Sequence, residues 1–282
     1  MCSSDLRRSI AIQQWQTSNG AKVLFVAANE LPMVDVRVLF NAGSARDGEK
    51  YGLASLVSRM LDEGTPTRST DQIASAFENL GASFNAASYR DMFIVDLRVL
   101  SENKYLEPAL DVFSDVIAHP SFPEEPFNRT FDGAQMGQQQ RQQSPSAQAS
   151  ILFYQHLYGK HPYAHPSNGT PESLKTISID DLKAFHQRYF VAQNATIAIV
   201  GNIDTQAAKA LKLDGDSFTS TLDSFVVDIG RISIQGMDAK QIQETLTNVF
   251  SKLGDEMASA VMPGLIEFQG VGEGYLETLI RV

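Results

Sequence analysis

The side chains able to bind a metal or attack a carbonyl are few and loosely grouped. His156, His161 and His165 follow one another at x4 and x3 spacings, a pattern that superficially suits zinc, because two histidines four apart on a helix can face one ion. Pro162 and Pro166 stand directly after the second and third of them, and a residue that precedes proline is pushed out of helical geometry. These histidines are expected to stabilise a loop. His119, ahead of Pro120 at a helix end, and His186, inside an amphipathic stretch, read as capping or surface residues. Ser55 and Ser58 offer hydroxyls, yet neither lies in GxSxG or SxxK and no neighbouring base is implied. Gly43, Gly48 and Gly52 are not followed by GK[ST] and read as a turn rather than a phosphate loop. Cys2 is the sole cysteine, so an internal disulfide, a CxxC site and a cysteine nucleophile within a fold are excluded.

The elements that must hold these residues follow from hydrophobic period. Ile12 to Thr17, Lys22 to Ala28 and Met33 to Phe40 read as strands, the first two separated by the turn Ser18-Asn19-Gly20. Tyr51 to Leu61 sets Leu53, Leu56, Val57, Met60 and Leu61 at helical spacing. A second helix is capped by Ser69 or Thr70 and stopped by Gly81. Strands return at Ser83 to Tyr89 and Met92 to Leu100 around Arg90-Asp91. Helices are then expected at Tyr105 to Ile117, Glu124 to about Gln143, Ala147 to Tyr158 and Ser178 to Tyr189, with 159 to 170 as loop. A buried strand at Ala195 to Val200 and a short helix from Thr205 close the pattern. This order predicts an α+β fold, a two-layer sandwich of a mainly antiparallel β-sheet covered by helices.

A net charge of −10 over 282 residues, without a Lys/Arg-rich run, opposes contact with a phosphate backbone and excludes nucleic acid as an expected partner. No apolar run approaches the roughly 18 residues that span a bilayer, and MCSSDLRRSI lacks the apolar centre of a signal peptide. Residues 1–9 read as a leader, non-native or disordered, ahead of a domain at 10–213.

Five stretches, NGAKVLFVAANELPMVDVRVLFNAGSARD, GLASLVSRMLDEGT, FNAASYRD, HPYAHPSNGTPESLKTISIDDLKAFHQRYF and NATIAIVGNID, together resemble the N-terminal domain of the insulinase/pitrilysin family of zinc metallopeptidases, in the family's order, over about residues 10–212. Peptide-cutting members carry HxxEH on the first helix: two histidines bind zinc, the glutamate acts as general base, and a later glutamate completes the site. Set against that pattern, Ser55 and Arg59 occupy the histidine positions, Ser58 the base, and Met136 the distal ligand. A neutral hydroxyl is a poor zinc ligand and an arginine puts a fixed positive charge where the metal would sit. The resemblance therefore implies a non-catalytic homologue with no metal or other cofactor of its own, zinc belonging to its catalytic relatives. Its implied partner is a homologous catalytic peptidase subunit, beside which it encloses or binds peptide. The alternatives are an active zinc metalloendopeptidase with non-standard ligands, or a structural protein. In the family the strand matching Phe84, Asn85, Ala86, Ala87 and Ser88 lies at a sheet edge, where an extended substrate can add through backbone hydrogen bonds. Bacterial relatives imply a periplasmic or exported location; without a leader the expectation is cytoplasmic.

From about residue 214 the texture changes to Asp, Gly, Ser and Thr, then to a strand-like pair and a helix, a small α/β segment spanning 214–282. The run PGLIEFQGVGEGYLETLIRV resembles phage tail tape-measure proteins. That resemblance underlies the structural alternative, and implies a chimeric joint near residues 212 to 216.

Overall fold

Strict alternation in MVDVRVLF makes strand β3, Met33–Phe40, the axis of the domain: Val34, Val36, Val38 and Phe40 are buried on one face while Asp35 and Arg37 point the other way. The computed structural model describes residues 11–211. Around β3 the other strands, β1 (Gln13–Gln16), β2 (Lys22–Ala27), β4 (Ser83–Ser88), β5 (Phe93–Leu100) and β6 (Ala195–Gly201), form one six-stranded sheet in the order β1-β2-β6-β3-β5-β4. All neighbours are antiparallel except β2 and β6, which run parallel with Val23 opposite Ile197. A parallel neighbour needs a long crossover, and here the whole helical middle of the chain supplies it. The α+β, mainly antiparallel expectation is met.

The inward face is covered by α1 (Leu53–Met60), α2 (Thr70–Asn79) and α3 (Asn103–Ala118). Their apolar residues join those of the strands in one core, with Phe25, Phe40, Phe93 and Phe113 fully buried. Phe84 of β4 stacks on Phe77 of α2 at 5.2 Å and meets Phe113 of α3 edge-on at 6.2 Å. Helix α2 begins where its sequence says it should: Ser69 accepts from the Gln72 backbone N–H and the Gln72 side chain accepts from Ser69 N–H, a complete capping box. The same device, Ser178 with Asp181, starts α7 (Ile179–Tyr189).

Helices α4 (Glu124–Gln142) and α5 (Pro145–Tyr158) form an outer pair. Helix α5 starts two residues ahead of the expected Ala147, because Pro145 sits at the first helical position, where its missing N–H has no partner to lose. The stretch expected as loop holds a 3₁₀ turn at Pro162–Ala164, and α6 (Pro171–Leu174) follows it; α8 (Thr205–Ala210), capped by Asp204, ends the described chain. Among the described residues no helix is long and apolar enough to cross a membrane. The segment expected to form a hairpin and helix beyond residue 214, with its tape-measure resemblance, lies outside the described residues, as does the leader.

Candidate functional site

Helix α1 starts at a backbone turn that only glycine fits comfortably. Gly52 has φ +99°, and in the facing loop Gly169 has φ +76° with Tyr51 O so close that a Cβ would lie 2.3 Å from it. This mutual approach brings residues 168–169 against the first turn of α1. The N–H groups of that turn, which have no partner within the helix, are met by Asp47, which is 4% exposed and accepts from Gly52 N–H at 2.8 Å and Ala54 N–H at 2.9 Å. Burial pushes the Asp47 carboxyl up to about 7, against the lowering effect of the Ala54, Gly52 and Leu53 backbone N–H groups. The expectation of a turn over Gly43, Gly48 and Gly52 is met: Gly48 also has positive φ, and a Cβ on Gly43 would lie 2.4 Å from the Arg90 backbone.

Ser55 and Arg59, four residues apart, share the face of α1 that looks across a cleft toward α4. The cleft measures about 320 Å³ when the open solvent at its mouth is counted, with Gly133, Gly137 and Arg141 of α4 opposite and Asn168 at one end. Asn168 connects the two sides. With its amide oxygen toward Arg141, that oxygen accepts from the two guanidinium Nη atoms at 2.8 and 2.5 Å, and its nitrogen donates to Ser55 Oγ at 3.0 Å; the reverse orientation keeps a bond to Ser55, whose hydroxyl then donates, but sets the amide nitrogen against the Arg141 donors. The Asn168 carbonyl accepts from Gln138 Nε2 at 2.7 Å, which fixes the loop. Ser58 turns inward, its hydroxyl donating to Ser55 O at 2.8 Å within α1.

Met136 does not belong to the cleft. It is 59% exposed, and the residues of its helix that face α1 are Gly133, Ala134, Gly137, Gln138 and Arg141. Sequence spacing locates the right helix but not the phase of its turn. The signal that does locate it is the run Gly133, Gly137, Arg141 at every fourth position, a stripe of small residues ending in a charge. Each glycine costs a helix interior about 1 kcal/mol relative to alanine, and a Cβ on either would meet nothing within 4 Å. Asn168 and Gln138 carry no local pattern; only the tertiary approach of Gly169 to Tyr51 assembles them.

The residues lining this cleft do not fit zinc. Among the described residues that line it, none is an imidazole, a carboxylate or a thiol, and two are guanidinium groups. The histidines lie elsewhere and are engaged. His165 stacks on Tyr51 at 4.1 Å, His161 Nδ1 accepts from Tyr163 N–H, and His156 Nδ1 lies 2.8 Å from Leu152 O. His119 lies beside Asp115 at the end of α3. His186 is a correction to the surface alternative: it is mostly buried among Phe122 and Phe190, and its Nε2–H donates to Ile117 O at 2.7 Å, closing a last-turn carbonyl of α3. It caps a helix other than its own. Burial drives its pKa down to about 4, opposed by that hydrogen bond and reinforced by His119.

Strand β4, carrying Phe84 to Ser88, is the edge of the sheet beside α1. Among the described residues no strand pairs with its outer side; Asn85 is exposed and the Ser88 hydroxyl is buried without a hydrogen bond.

A model of the insulinase family, peptidase family M16, matches residues 22–170, and that of the peptidase M16 inactive domain matches 176–216. Among solved structures, a peptidase M16 inactive domain from Pseudomonas fluorescens is 42% identical with a TM-score of 0.70, covering 72% of this chain and 49% of that one. Among curated proteins, an uncharacterized zinc protease of Rickettsia bellii is 28% identical over 188 residues, 66% of this chain and 45% of its own length. A Helicobacter pylori protein described as a non-peptidase homolog is 25% identical over 191 residues, 67% and 44% respectively. The chain spans about half the length of the relatives it matches.

Proposed function

The chain belongs to the insulinase family, peptidase family M16, and we propose that within it this domain is a non-catalytic homologue that helps a catalytic subunit hold peptide substrates. One observation carries the proposal. The face of α1 that would present metal ligands presents Ser55 and Arg59, and the facing stretch of α4 contributes glycines and Arg141. A hydroxyl beside two fixed cations neither binds a divalent metal nor activates water as a base. What survives is the edge of β4 next to α1, where an extended peptide can pair through its backbone, an interaction indifferent to the lost side chains.

Zinc analysis of the purified full chain, together with cleavage of a mixed peptide pool, tests this. The expected result is substoichiometric zinc and no cleavage, with cleavage restored only by a catalytic partner. Stoichiometric zinc lost in His161→Ala and His165→Ala variants, accompanied by cleavage, would overturn it in favour of a peptidase with non-standard ligands.

A further inference from the structure

We infer that the cleft between α1 and α4 is a carboxylate-binding site, with Arg59 as its principal anchor; this deepens, and rests on, the peptide-holding role proposed above. The chain carries a net charge of −10, yet among the described residues lining this cleft the charged ones are Arg59 and Arg141, and none is acidic. Elsewhere Arg37, Arg68, Arg98 and Arg129 are paired with carboxylates. Arg59 is exposed and makes no hydrogen bond or ion pair among the described residues.

The neutral groups have the same polarity. Asn168 accepts from Arg141 and donates to Ser55 Oγ. Ser55 Oγ is thereby used as an acceptor, which leaves its own O–H free to donate. Opposite stand Gly133 and Gly137, where a side chain would meet open space. The cleft thus offers a fork-shaped guanidinium, a hydroxyl donor and room, a combination that suits a planar oxyanion, because arginine can bind both carboxylate oxygens at once. On a bound peptide, the carboxylate comes from an acidic side chain or from the C-terminus. Either way, a position built for a cation in peptide-cutting relatives has become one built for an anion.

The test uses fluorescence anisotropy on the full chain with four otherwise identical labelled peptides, carrying glutamate or glutamine at one central position and a free or amidated C-terminus. Tightening of about tenfold is expected for one carboxylate over its neutral counterpart; the pair that differs identifies the source. The gap should shrink to nearly nothing in Arg59→Gln and persist in part in Arg59→Lys. Arg59 has no partner to lose among the described residues, so both variants should keep the parent's unfolding midpoint. Equal binding of all four peptides, or a gap that survives Arg59→Gln, would overturn the inference while leaving the peptide-holding role standing. In a parallel arm, sodium succinate should raise the melting temperature of the parent but not of Arg59→Gln. That result with no peptide bound would retain the carboxylate site and remove the peptide role.

Discussion

Helices α3 and α5 are of similar length and both rich in apolar residues, yet α3 buries eight of its sixteen residues and α5 none of its fourteen. On α3, Leu106, Ala109, Leu110, Phe113, Val116 and Ile117 fall on one stripe that the sheet receives. On α5, Leu152, Phe153 and Leu157 are 54 to 61% exposed. What holds α5 is of another kind. Arg90, in the β4–β5 turn, lies over the Tyr154 ring at 4.2 Å and donates to Tyr163 O at 2.8 Å, while Tyr163 Oη donates to Asp91 at 2.5 Å. One helix is fixed by desolvation, the other by a few polar and cation–π contacts, Gln148 Nε2 donating to Arg141 O at 3.2 Å near its start and Arg90 over Tyr154 toward its end. The difference separates a core that makes the domain fold from a layer that is only pinned to it.

The sharpest way to break that contrast is to truncate the centre of α3. Phe113→Ala removes a fully buried ring and should cost about 3 to 5 kcal/mol in urea unfolding. A loss below about 1 kcal/mol would mean that the α3 interface is not the folding core. Next in size is the capping of α3 from α7. Because the folded-state pKa of His186 is depressed to about 4, the unfolded chain binds the proton more readily between that value and the ordinary 6.5. Stability attached to this group is therefore complete above about pH 6.5 and lost as pH falls toward 4, by about 2 to 3 kcal/mol. The raised pKa of Asp47 acts in the opposite direction over much of that range, so the measurement is a difference: subtracting the pH profile of His186→Gln from that of the parent should isolate the slope. A flat difference would mean that the imidazole titrates as if in water. The smallest effect belongs to α5, where Phe153→Ala should change stability by no more than about 0.5 kcal/mol. A cost above about 2 kcal/mol there would erase the contrast.

Much of the fold is legible in local signals. The alternation of β3, the capping boxes of α2 and α7, and the glycine turn ahead of α1 are each written within a few residues, and each appears where those residues place it. What local signals could not give was adjacency. Nothing in NATIAIVGNID says that β6 enters between β2 and β3, and nothing in Asn168 says that it bridges Arg141 to Ser55. Arg59 was legible because an arginine in a ligand position contradicts the chemistry expected there. Arg141 was not, because its meaning depends on the rotation of α4. Met136 failed for the same reason, lying in the right turn on the wrong side.

The outward face of the sheet carries a lesson about error correction. Asp35 lies opposite Arg98 and Arg37 opposite Asp96, each pair bonded at 2.6 Å. Sliding β5 along β3 by one residue would turn its valines to solvent, and the hydrophobic pattern forbids that. A slide by two residues keeps every valine inside, and burial is blind to it. One direction of that slide sets Arg37 against Arg98, and the other sets Asp35 against Asp96. These exposed pairs add little to the depth of the native state, but they make both of its nearest counterfeits self-repelling.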